Sequence, residues 1–96
     1  MLYIVNKKGD ALINCIDTVS VDDVILLIED AVYAALATSL PSVLSKPING
    51  VAIYALMPDM QARGIDVARC YKHIQYVDYA GFVDLVEHNN PVRSCY

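Results

Sequence analysis

Ninety-six residues suffice for one domain, 1–96, with a modest core that hides roughly two-thirds of the unfolded surface. Hydrophobic residues make up 56% and charged residues 19%, yet purely apolar runs such as Val24–Ile28 and Val51–Met57 fall far short of the ~20 residues that span a bilayer. The net charge is −4 and the seven basic residues are scattered, so direct nucleic-acid binding has no cationic patch to rest on.

Leu2-Tyr3-Ile4-Val5 reads as a first strand, ended by the polar turn Asn6–Asp10 with its Gly9. Leu12, Cys15, Ile16 and Val19 then recur at helical spacing, with Asp10 as the predicted N-cap. Val24–Ile28 has the continuous aliphatic pattern of a strand covered on both faces. Glu29 and Asp30 end it, and Asp30 is predicted to cap a helix through Ala31–Leu36. Thr38 to Gly50 is irregular, with one short helical turn predicted after Pro41 from Leu40, Val43 and Leu44.

Val51–Leu56 is a third strand. Pro58 at the front and Gly64 past the end frame a short helix through Asp59–Arg63. Ile74–Asp78 is a fourth strand, and Asp78 is predicted to cap a last helix whose apolar face is Phe82, Val83, Leu85 and Val86. Asn89-Asn90-Pro91 stops that helix, and the tail beyond is predicted to be flexible unless docked.

The alternation predicts a single small α/β domain. Its sheet has four to five strands, is mainly parallel, and carries helices on both faces through right-handed crossovers. With no leader of basic-then-apolar residues at the front, the expected location is the cytoplasm.

Ligands in such sheets gather beyond the carboxyl ends of the strands. Here those ends are Asn6–Asp10, Glu29-Asp30, Met57–Asp59 and Asp78-Tyr79. None is a glycine-rich phosphate loop, and three are acidic, so no nucleotide cofactor is expected. Asp30, Asp59 and Asp78 are expected to cap helices. Phosphoryl acceptance would need an acidic pair after the first strand and a lysine after the last, and neither is present. His73 and His88 lie in no hydrolase motif.

Three cysteines, Cys15, Cys70 and Cys95, are too few and too widely spaced for a disulfide framework. Cys70 and His73 alone do not make a zinc site, so no metal is expected. Cys15 carries two readings. It stands on the apolar stripe of the first helix, where a buried, inert thiol belongs. It also lies near the start of that helix with Lys7 and Lys8 upstream, where a partly exposed thiolate could carry sulfur as a persulfide. Cys70, amid Arg69, Lys72 and His73, is the fallback carrier.

Met1–Lys7, Ile28–Leu36, Tyr54–Gly64 and Val77–Leu85 resemble, in order and spacing, the opening and the three blocks of the DsrH/TusB family, small subunits of the DsrEFH and TusBCD sulfur-relay complexes. The resemblance implies the DsrEFH-like fold, with flavodoxin-like winding. It implies a place in a heterohexamer with DsrE/TusD-like and DsrF/TusC-like subunits; expressed alone, the chain could cover its apolar surplus by self-association. A DsrC/TusE-like protein would accept the sulfur, for thiolation of the tRNA wobble uridine or for dissimilatory sulfur oxidation.

Cys15 matches the first-helix cysteine of the DsrH type, where the TusB type generally has an aliphatic residue. The alternative is a structural subunit that only completes the complex. Ala31 replaces the family's usual glycine, and Tyr96 stands where members tend to end near a tryptophan. The apolar surplus and seven tyrosines also point to a covered surface, since tyrosine combines a large apolar body with a hydroxyl that tolerates water.

Overall fold

A computed structural model describes residues 1–38 and 42–96. Among these residues five strands form one parallel sheet: β1 (Leu2–Val5), β2 (Val24–Leu27), β3 (Ala52–Leu56), β4 (Ile74–Val77) and β5 (Val92–Cys95). The order across the sheet is β4-β3-β2-β1-β5. The predicted parallel α/β sheet with helices on both faces is what the chain builds. Its winding differs from the flavodoxin order, in which the third strand lies on the far side of the first. Here β3 stays beside β2, and the tail strand β5 takes that edge of β1.

The order dictates where the helices go. From β1 to β4 the chain walks in one direction, so right-handed crossovers put α1 (Asp10–Thr18), the 3-10 helix Glu29–Ala35 and α2 (Met57–Ala62) on one face. From β4 to β5 it walks back across the sheet, and the same handedness sends α3 (Tyr79–His88) to the other face.

Strand alternation then divides the core in two. Tyr3, Val5, Ile25, Leu27, Ile53 and Ala55 face the first set of helices, where Leu12, Cys15, Ala31, Val32 and Met60 pack on them. Leu2, Ile4, Val24, Leu26 and Leu56 face α3. That side is thin: α3 has no buried residue, and its Phe82, Leu85 and Val86 are only partly covered. Val83, read from the sequence as part of the apolar face, points outward and is 54% exposed.

Local chemistry explains the helix ends. The Asp78 carboxylate accepts from the Gly81 N–H at 2.8 Å, which makes it the predicted N-cap of α3. Val77 before the cap and Phe82 in the first turn pack against the same cluster, fixing the entry angle. Past α2, Gly64 has φ +67, its N–H bonds to the Gln61 carbonyl at 3.1 Å, and the Ile65 N–H bonds to that of Met60 at 3.0 Å. This double return satisfies two orphan carbonyls, and the left-handed φ suits glycine.

Three predicted caps, Asp10, Asp30 and Asp59, are not caps. Asp10 is the first residue of α1 rather than its N-cap; that place belongs to Gly9, at φ +127, with no side-chain bond. The segment after β2 is a 3-10 helix with Ile28 at its N-cap and no side-chain bond. Asp30 instead pairs with the Arg63 guanidinium at 3.0 Å. A single residue, Ile28, separates β2 from this helix, and Ala31, Ala34 and Ala35 are fully buried, so the backbone lies close to the sheet.

Of the turn predicted after Pro41, Leu40 and Pro41 lie outside the described residues. Ser45 N–H bonds to the Ser42 carbonyl at 3.0 Å, and Leu44 is buried beneath that turn while Val43 is exposed.

Candidate functional site

The acidic strand ends are occupied with structure. Glu29 has φ +50, a left-handed conformation costing about 1–3 kcal/mol for a non-glycine residue, and its N–H donates to the Asp59 carboxylate at 2.6 Å. Asp59 thus braces the turn after β2 rather than capping α2, and Arg63 ties Asp30 to the Asp59 carbonyl at 3.2 Å. These bonds tie the ends of β2 and β3 together. Asn6, at the end of β1, keeps a buried Oδ1 with no partner among the described residues.

Cys15 sits one turn beyond Leu12 on α1, facing the sheet, and is 2% exposed. Its neighbour is the tail. β5 runs parallel to β1 with Tyr3 opposite Arg93 and Val5 opposite Cys95, so Arg93 and Cys95 project to the α1 face with Tyr3 and Val5. Cys95 packs against the same core cluster as Cys15 and lines the same cavity. Tyr3, Cys15, Arg93, Cys95 and Tyr96 line one cavity of about 270 Å³ at the β1–β5 edge. All three cysteines are free.

Burial, reinforced by the neighbouring Cys95, pushes the Cys15 thiol from the ordinary 9.0 up to about 12. The thiolate fraction at neutral pH is therefore about a thousandfold below that of an ordinary thiol. Iodoacetamide at pH 7.5 is expected to label Cys15 at least about 100-fold more slowly in the native chain than in urea. Equal rates would show the thiol to be open to solvent. The folded state also holds this proton more tightly than the unfolded chain. Cys15 therefore adds no pH dependence below about pH 9, and stability falls as the pH rises from there toward about 12.

Cys70 precedes β4 at the end of a short 3-10 turn, Val67–Arg69, and is buried. Its thiol points to the Asp66 carbonyl at 3.6 Å, and Tyr76 stands beside it. Burial raises its pKa, outweighing a hydrogen bond from Tyr76 and the charge of Arg69, while Asp66 adds to the rise. Tyr76 is itself pushed up to about 12, by burial first and then by Cys70. Cys70 opens on a separate cavity with Tyr71, Lys72 and Tyr76.

His73 stacks on Tyr71 with ring centroids 5.8 Å apart, and His88 Nδ1 lies 2.7 Å from the Asp84 carbonyl. Neither lines the Cys15 cavity. Among the described residues, no three His, Cys, Asp or Glu side chains stand together as a metal site, and no helix is long and apolar enough to cross a membrane.

The sequence points to Cys15 and Cys70 separately, and the structure keeps them in separate cavities. It brings to Cys15 a residue the sequence reading left in the tail, Cys95. The available signal was faint: Val92 is β-branched and follows Pro91, but Val92-Arg93-Ser94-Cys95 has no apolar run to mark a strand.

The profile of a family described as DsrH like protein matches residues 7–92. Three solved structures share the fold. Protein Tm0979 from Thermotoga maritima, solved by NMR, is 25% identical over 93% of this chain and 94% of its own, with a TM-score of 0.65. The ychN protein from E. coli is 16% identical over 97% of both chains, with a TM-score of 0.71. MTH1491 from Methanobacterium thermoautotrophicum is 14% identical over 97% of this chain and 96% of its own, with a TM-score of 0.73. A search among curated proteins finds no match.

Proposed function

Since this chain belongs to the DsrH-like family, we propose that it is a subunit of a heteromeric sulfur-relay complex, working in the cytoplasm with DsrE/TusD-like and DsrF/TusC-like subunits and passing sulfur toward a DsrC/TusE-like acceptor. In this reading Cys15 is the persulfide carrier of the chain. The observation that carries it is the position of Cys15 on the wall of the β1–β5 cavity, with the Arg93 cation among the lining residues. A solvent-connected cavity gives a sulfur donor a path to the thiol.

A second reading has its own observation. A thiol 2% exposed and pushed up to about 12 is the state of a packing residue, which favours a subunit that completes the complex without carrying sulfur. Exposed apolar side chains supply what either reading needs from a partner. Tyr79 and Val83 stand one turn apart on the outer face of α3, and Ile13 and Val43 rim a second cavity beside α1.

The test is reconstitution with the two partner subunits and a labelled persulfide donor. The carrier reading expects Cys15→Ser to abolish label on this chain and to lower flux to the acceptor at least about tenfold. Unchanged flux makes Cys15 a packing residue. Loss in Cys70→Ser alone moves the role to the fallback. Failure to assemble with either partner removes the sulfur-relay reading itself.

A further inference from the structure

We propose that Cys15 and Cys95 form a dithiol site that reacts with small disulfides, Cys95 first and Cys15 second, closing an intramolecular disulfide between α1 and β5. The proposal goes beyond sulfur relay and stands without it. It rests on the pairing of two elements far apart in sequence. The register of β5 on β1 sets Cys95 opposite Val5 and turns its side chain under α1, where Cys15 faces the sheet. Both thiols are free and line one cavity that reaches solvent.

The two cysteines are not equivalent, and the difference orders the reaction. Cys95 is half-buried at the cavity, whereas Cys15 is buried behind it. The Cys95 thiolate attacks one sulfur of a small disulfide, a Cys95–S–S–R bond forms, and the first thiolate leaves. Cys15 then loses its proton to solvent and its sulfur attacks Cys95 Sγ. The protein disulfide forms and the second thiolate leaves. Two protein thiols are oxidised, one small disulfide is reduced to two thiols, and the two protons released go to those products.

The high proton affinity of Cys15 costs about three orders of magnitude in thiolate at neutral pH. A sulfur already in place gains more than that, since effective molarities of well-oriented intramolecular reactions reach roughly 10⁵–10⁸ M. Arg93, lining the same cavity, places a cation where the anionic leaving group departs.

The experiment treats the full chain with oxidised glutathione at neutral pH and reads intact mass and free thiols. The expected product is lighter by two hydrogens, has one free thiol of the original three, and gives a peptide joining Cys15 to Cys95. Cys15→Ser is expected to stop at a stable glutathione adduct on Cys95. Cys95→Ser is expected to react at least about 100-fold more slowly, because only buried thiols remain. Cys70→Ser is expected to close the disulfide as the unmodified chain does. A stable glutathione adduct on the unmodified chain, a bridge involving Cys70, or no reaction at Cys95 would overturn the proposal. None of these outcomes depends on partner subunits or on a persulfide, so the sulfur-relay reading stands or falls separately.

Discussion

Leu27→Ala is expected to cost about 2–5 kcal/mol, the largest loss of any single truncation considered for this chain. Leu27 is fully buried in β2, the middle strand of five, with Val5 on one side and Ala55 on the other in register. Its side chain lies on the face covered by α1, the 3-10 helix Glu29–Ala35 and α2, where the core is thickest. Small neighbours such as Ala55, Ala31 and Ala34 cannot swell to fill the space, so both the lost transfer energy and most of the cavity term are felt. A domain of this size has about 5–15 kcal/mol in total, so a large share is at stake. At about 4–8 °C per kcal/mol, Tm falls by roughly 8–40 °C. Val83→Ala, on the exposed side of α3, is expected to stay within about 0.5 kcal/mol. Thermal scans of the two variants side by side give the answer. A Leu27→Ala midpoint no lower than that of Val83→Ala would mean β2 is not the centre of the core.

Gly81→Ala runs against the usual rule for helices and is expected to destabilise by about 1–3 kcal/mol. In an open helix the exchange gains about 1 kcal/mol from backbone entropy. Here an added Cβ would lie 2.8 Å from Val77 Cβ and 3.0 Å from its Cγ1. Val77 Cβ is fixed to the backbone of β4, which pairs with Leu56 of β3, so relief has to come from α3. Lifting α3 breaks the 2.8 Å bond from the Gly81 N–H to Asp78, a cap of about 1 kcal/mol, and opens the thin side of the core. Overlap and cap loss together outweigh the entropy. Urea unfolding should show a lower midpoint at unchanged slope; a raised midpoint would show that α3 accommodates the methyl by sliding.

Much of this architecture is legible from residues alone, because its strongest signals are local. Val24–Ile28 is aliphatic throughout since β2 is covered on both faces, and Pro58, Gly64 and Asp78 mark helix ends through backbone chemistry that depends on few neighbours. Where the reading departs from the structure, a distant residue decides. Asp30 looks like a cap until Arg63, thirty-three positions on, takes its carboxylate. Val83 has the spacing of a buried face, but among the described residues one helix covers that side of the sheet and its outer half stays in water. Cys15 shows on its stripe as a buried thiol. That Cys95 meets it depends on β5 choosing the free edge of β1, and nothing in Val92-Arg93-Ser94-Cys95 encodes that choice locally.

The position of β5 also bears on how the chain is made. Of the five strands β1 leaves the ribosome first and β5 last, with roughly ninety residues between them. At about 5–20 residues per second, β1 waits roughly 4–20 s for the strand that covers its outer edge. Throughout that interval Leu2-Tyr3-Ile4-Val5, apolar at every position, presents a row of unpaired backbone donors and acceptors to any other nascent chain. The hazard of this fold therefore peaks during translation rather than after it, and slow codons late in the message would prolong it.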